Sequence, residues 1–276
     1  MRDVEGAVPY NRFVECKTRF YQEENMGYFI SELTYEECQG LINENTVIVL
    51  PIGGGSKEHG DHLPMGTDYM VADFLAKEVT KRCDVLTLPT LPYGYFPSFV
   101  KWKGSVNIDY RNFLAFIKDI LMSFVNFGVK KFLIIDDGVS THIPLKLLAM
   151  EMNNEHDVKV AVSDCTGIGR EVDSAVCQQK QGGHGDEAET SSMLYIRPDL
   201  VKMDKTTEEY SQSFPFTKGK GFEKIYLHNR MVTPHGTNGN STLATREKGE
   251  AIVNAQIDDL VSFLEEFIKW EPQDIK

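Results

Sequence analysis

Apolar residues recur along this chain with two alternating periods. Four short, largely β-branched runs are closed by proline, glycine or polar residues: Thr46-Val-Ile-Val-Leu50, Val85–Leu88, Phe132-Leu-Ile-Ile135 and Val158–Val162. Runs of that length and composition suit strands buried on both faces. Between and after them, apolar positions return at helical spacing over Met70–Arg82, Tyr110–Phe127, Pro144–Asn153, Ala188–Ile196 and Leu243–Phe267. Gly128 follows the second of these as a helix-terminating residue. Strands alternating with helices imply a parallel sheet covered on both faces. Residues 202–240 are less periodic and read as an irregular excursion. No linker or repeat divides the chain, so residues 1–276 read as one domain.

Sites in open sheets of this kind lie beyond the carboxyl ends of the strands. The polar stretches Gly53–Asp68, Asp136–His142 and the one after Ser163 all follow strand candidates directly. That placement joins them into one candidate pocket.

Composition narrows the partners. The 276 residues carry 41 acidic and 29 basic side chains, a formal net charge of -12. A chain this acidic lacks the basic face that a nucleic-acid backbone or an anionic membrane requires. No window has the roughly 18 uninterrupted apolar residues of a membrane span. The start, MRDVEGAVPYNRF, has no apolar core of a secretory signal. Five scattered cysteines, Cys16, Cys38, Cys83, Cys165 and Cys177, form no CxxC pair. The chain therefore reads as soluble and cytoplasmic.

The densest chemistry is P51-I-G-G-G-S-K-E-H-G-D-H-L-P-M-G-T-D68, which sets Glu58, His59, Asp61, His62 and Asp68 on a glycine-rich loop. Zinc, manganese or iron accept such a mixed nitrogen and oxygen set, and Asp68 could bridge two ions. The same residues could instead cap the following helix, Asp68 as its N-cap. A second cluster, G182-G-H-G-D-E-A-E-T-S191, offers His184, Asp186, Glu187 and Glu189 at the start of a helix. Acidic residues there also serve the helix dipole without any active site.

These segments resemble a known family. HGDHLPMGTD, His59 to Asp68, is similar to the creatininase (creatinine amidohydrolase) signature E-x-H-G-x-H-L-P-L-x-T-D. HGDEAETS resembles that family's H-A-G-E-x-E-T-S, and G239-N-S-T-L-A-T-R-E-K-G249 its late G-x-P-x-x-A-T-x-E-K-G stretch. The resemblance implies a doubly wound α/β fold, a three-layer sandwich with a mostly parallel sheet and helices on both faces. It also implies metal-dependent hydrolysis of amide-like bonds in small, often cyclic molecules, and a homohexamer. Carried over residue by residue, it places metal ligands at His59, Asp68 and Glu189, and a substrate- or proton-handling histidine at His184.

Two positions depart from the pattern. The family glutamate before the metal-binding histidine falls on Lys57, with Glu58 beside it, and the histidine of a third motif, N-G-H-G-G-N, falls on Val139 in D137-G-V-S-T-H142. A bulge could turn Glu58 into the missing ligand place. Only a local rearrangement would bring His142 to the metal. The set implied is one divalent ion rather than two, on Glu58, His59, Asp68 and Glu189, with His184 and Glu187 as acid/base groups. Lys57 reads either as a cation inside the site, substituting for metal charge or stabilising an oxyanion of the substrate, or as an exposed loop lysine. Ser98 and Trp102, after the Tyr93-Gly94 segment, and Asp186 complete the substrate-binding candidates; Trp102 could equally pack a subunit interface. His228 and His235 read as loop histidines.

The leading expectation is a metal-dependent hydrolase opening a C–N bond in a small cyclic or linear amide. An alternative is ring-opening C–C or ester hydrolysis of a cyclic ketone or lactone. A third is a binding or scaffold protein with a degraded metal site.

Overall fold

Six consecutive side chains of Val47–Ile52 are buried, and so are six of Lys131–Asp136. A strand can bury every residue only if both its faces are covered, and the computed structural model shows that arrangement. It describes residues 26–211 and 233–271; Cys16 and His228 lie outside them. Five parallel strands, β1 (Tyr28–Phe29), β2 (Val47–Ile52), β3 (Leu86–Thr87), β4 (Lys131–Asp136) and β5 (Lys159–Val162), form one sheet in the order β1-β3-β2-β4-β5.

Alternation along each strand divides the core into two layers. Val47, Val49, Leu133 and Ile135 face one side of the sheet. There they meet α2 (Thr67–Arg82), α6 (Glu187–Ile196) and α7 (Arg246–Lys269) through Leu75, Met193 and Val253. Ile48, Leu50, Ile52, Phe132 and Ile134 face the other side. They pack on α3 (Tyr110–Val125) and α4 (Val139–Glu155) through Phe113, Ile117, Leu145 and Leu148. The expected parallel sheet with helices on both faces is the one observed.

Three elements have no counterpart in the periodicity: β1, the seven-residue α1 (Tyr35–Leu41) and α5 (Arg170–Val176). Each is too short to complete a recognisable apolar repeat. α1 is fixed instead by a capping box between Thr34 and Glu37. In the irregular excursion, β6 (Glu208–Glu209) pairs antiparallel with β7 (Gly239–Asn240). Among the described residues no helix is long and apolar enough to cross a membrane.

The strand order determines where a pocket can open. From β2 the chain moves outward to β3, then crosses back over β2 to β4. The loop after β2 leads to α2 on one face of the sheet and the loop after β4 to α4 on the other, so a crevice forms between the carboxyl ends of these neighbouring strands. The loop after β2 returns so tightly that Gly53 lies against the Asp68 backbone at the start of α2. A Cβ at Gly53 would collide with the Asp68 carbonyl.

Candidate metal and catalytic site

Asp68 is the second residue of α2, whose N-cap is Gly66, so it is not the cap the sequence suggested. Its place in the first turn gives it the favourable end of the helix dipole and directs its carboxylate into the crevice. There Oδ2 accepts from Lys57 Nζ at 2.7 Å and Oδ1 lies 2.5 Å from His59 Nε2. His59 is fully buried and Asp68 nearly so. Lys57 is not an exposed loop lysine: only 6% of it is accessible. Its ammonium sits 5.3 Å from the Phe96 ring and 5.1 Å from the Phe99 ring.

The second cluster meets the first at His184. Its ring lies 4.8 Å from that of His59 and 4.4 Å from that of Phe99. His184 Nε2 faces Glu58 Oε2 at 3.2 Å, and Nδ1 lies 3.9 Å from Glu189 Oε2. Glu189 is held in turn by the Gly185 N–H at 2.6 Å. His59, His184 and Glu189 each direct a ligand atom into one space, all within 4.8 Å of one another.

The donor chemistry of this space fits a divalent cation. His59 Nδ1 lies 2.9 Å from the Lys57 carbonyl. A carbonyl only accepts, so Nδ1 carries a proton, which leaves Nε2 as the atom that presents a lone pair whenever the ring is neutral. That lone pair faces a carboxylate oxygen at 2.5 Å, an opposition that a proton or a metal ion must relieve. A backbone carbonyl fixing the ring in this way is the usual support of a metal-binding histidine.

Burial and charge set the protonation states. Burial pushes the Asp68 carboxyl up, but His59 and Lys57 outweigh it and hold it well below the usual carboxylate range. Burial alone would lower the Lys57 ammonium; Asp68, Glu189 and Asp137 keep it above its ordinary value. Glu189 resists its own burial through His184, His59 and Lys57 and ends below its ordinary value. Burial lowers His184.

The structure separates the remaining candidates. Glu58 is turned toward His184 and the Gly60 N–H. Glu187, buried on the same helix, is engaged elsewhere: it accepts from the Gln178 and Gln179 N–H groups and pairs with Lys248 at 2.5 Å. Two residues from Glu189 on an α-helix, it points away from the face that Glu189 presents. Asp186 is the N-cap of α6, accepting from Glu189 N and also from Gly183 N and Gln179 Nε2; burial pushes it up to about 6. His62 bonds Thr190 Oγ1 at 2.8 Å, and burial lowers it to about 4. Val139 is exposed, and His142 faces Asp136 instead, its Nδ1 3.7 Å from Oδ2. His235 pairs with Glu209 at 2.6 Å.

The 93–108 loop closes one wall. Phe99, beside Ser98, packs its ring at a tilt against His184, Ser105 Oγ accepts from the Glu58 N–H at 3.0 Å, and Val106 N–H donates to Ser56 O at 2.8 Å. Trp102 carries a buried indole N–H with no hydrogen-bond partner. Gly236 forms another wall, at φ +86°, where a Cβ would strike the Glu58 carboxylate.

Sequence reasoning missed three contributors. Phe96 and Phe99 enclose Lys57 from a loop with no periodic signal. Asp137, at the end of β4, is acted on by Asp68, Glu189 and Lys57; burial first, then Asp68 and Glu189, hold its carboxyl well above the usual range. Its position in D137-G-V-S-T-H142 was the available signal.

Comparison with known proteins places this geometry. The profile of the creatininase family, described as creatinine amidohydrolase, matches residues 31–264. The creatinine amidohydrolase of Pseudomonas putida is 25% identical over 258 residues, covering 86% of this chain and 96% of that protein. A 3-dehydro-scyllo-inosose hydrolase of Thermotoga maritima is 20% identical over 273 residues, covering 91% and 86%. A solved manganese form of creatininase superposes with a TM-score of 0.75 at 24% identity, covering 87% of this chain and 99% of that one.

Proposed function

Because this chain belongs to the creatininase family of metal-dependent hydrolases, we propose that it opens the C–N bond of a small cyclic or linear amide at the His59–His184–Glu189 cluster. The observation that carries this reading is the convergence of those ligand atoms within 4.8 Å beside Asp68. His59 Nε2, Asp68 Oδ1 and Glu189 would hold the divalent ion. When bound there, it supplies Lewis-acid polarisation of water and of the scissile carbonyl.

The chain's own groups do the rest. Glu58 accepts from His184 Nε2–H and so fixes the ring, leaving Nδ1 as a base facing the ligand space. Nδ1 takes the proton from the attacking water and returns it to the departing nitrogen as the C–N bond breaks. The 93–108 loop, with Ser98 and the unpaired Trp102 N–H, forms the substrate wall. Lys57 stands next to the carboxylates and contributes charge. Asp186 and Glu187 support the geometry through the backbone of the 178–189 segment rather than by touching substrate.

A second reading keeps the pocket and changes the bond: ring opening of a cyclic ketone or lactone. The buried Lys57 favours it, since a fixed ammonium can stabilise an enolate or oxyanion, and one relative is named as an inosose hydrolase. The metal-loaded protein assayed against cyclic amides, cyclic ketones and lactones separates the two. Turnover of amides that stops on chelation and returns with manganese or zinc supports the first; turnover of ketones or lactones alone replaces it with the second. No turnover of either class would return the chain to a binding role.

The face of α4 supports homo-oligomerisation. Val139, Ile143, Leu147 and Met150 are 53%, 70%, 57% and 55% exposed and lie on one side of the helix. A second copy related by a two-fold axis would bury this apolar stripe against its own counterpart. Ile143→Glu with Leu147→Glu is expected to lower the mass in light scattering while leaving the circular dichroism spectrum unchanged; an unaltered mass would refute this surface. The four described cysteines are unpaired, in keeping with a cytoplasmic location.

A further inference from the structure

We propose that the Lys57 ammonium stands in for a second cation, so that the site takes one divalent ion per chain; this rests on the metal-hydrolase reading above. The Asp68 carboxylate is used from two sides. Oδ1 turns to His59 and the ligand space, whereas Oδ2 is taken by Lys57 Nζ at 2.7 Å. A cation approaching Oδ2 would meet the ammonium at the same oxygen.

The ammonium has no easy way out. Only 7% of its side chain is accessible, and the rings of Phe96 and Phe99 stand 5.3 Å and 5.1 Å away. Both offer their negative π-systems to the charge. Gly54 leaves the space that the pair needs: a Cβ there would lie 3.1 Å from both Asp68 Oδ2 and Lys57 Cβ.

Charge points the same way: a second dication beside the Lys57 ammonium would set like charges together in a buried cluster, where water screens them little. Lys57 acts here as a positioning residue: it holds Asp68 with one oxygen free for the ion.

Counting ions tests this directly. Chelator-stripped protein is loaded with zinc or manganese and measured by native mass spectrometry and elemental analysis. Wild type and K57R are expected to bind one ion per chain. K57E, which sets a third carboxylate beside Asp68 and Asp137, is expected to bind two. Two ions on wild type, or one on a folded K57E, would overturn the proposal while leaving the hydrolase reading intact; no ion on wild type would overturn both. A second measurement needs no variant: acetylation of Lys57, followed by peptide mass spectrometry, should stay equally low before and after metal loading. Labelling that rises with loading would show an ion displacing the ammonium and would overturn the proposal.

Discussion

Asp68→Asn should empty the site of metal, abolish hydrolysis and destabilise the fold by about 3 kcal/mol, the cost of leaving one partner of a buried ion pair without its countercharge. The amide keeps the shape of the carboxylate and one acceptor for Lys57 Nζ, which places the loss at the low end of the usual range. What it removes is the negative charge that the buried ammonium and the ion both require. Denaturant unfolding and elemental analysis read the two effects separately. The double variant Asp68→Asn with Lys57→Met should recover most of the stability, since no unpaired charge is then buried, but neither metal nor activity. If the single variant unfolds like wild type, Asp68 and Lys57 are not coupled as their 2.7 Å contact implies.

His184→Gln is expected to lower kcat by roughly 10²–10⁴-fold, the range general acid/base catalysis supplies, with one ion still bound. The ion stays because His59, Asp68 and Glu189 hold it, whereas His184 Nε2 is committed to Glu58. The pH–rate profile should lose its basic-group limb in this variant. Glu58→Gln should cost less, because it loosens the ring without removing the base. Loss of metal from His184→Gln would instead make His184 a ligand, an outcome its place in the 4.8 Å cluster leaves open to measurement. Intact hydrolysis would remove it from the reaction altogether.

The long elements were legible before any coordinates. β2 and β4 announce themselves as apolar runs because they are buried on both faces, and α3 and α7 because one face of each is apolar for four turns or more. The two metal motifs were legible for a different reason: chemistry demands particular atoms at particular spacings. His59 with Asp68, and His184 with Glu189, each sit within one short segment. Their meeting is a property of the fold, which packs α6, with the second motif at its start, against α2 and α7 beside the loop after β2. Glu187 shows the limit of the local view. The motif offered it as an acid/base group, yet helical geometry turns it to Lys248.

Residue order along the chain thus determined the α/β class, the family and the chemical types assembled at the site. Tertiary structure decided their directions. It turned Glu58 to His184, buried Lys57 against Asp68, and brought Phe96, Phe99 and Asp137 around that pair. The physical reason is range: periodicity and motif spacing record contacts within a few turns of chain, whereas burial and charge pairing depend on groups brought together from distant segments. A lysine in a glycine-rich loop reads the same in sequence whether it faces water or a carboxylate. Its role is settled by the aromatic rings and acids that the folded sheet places around it.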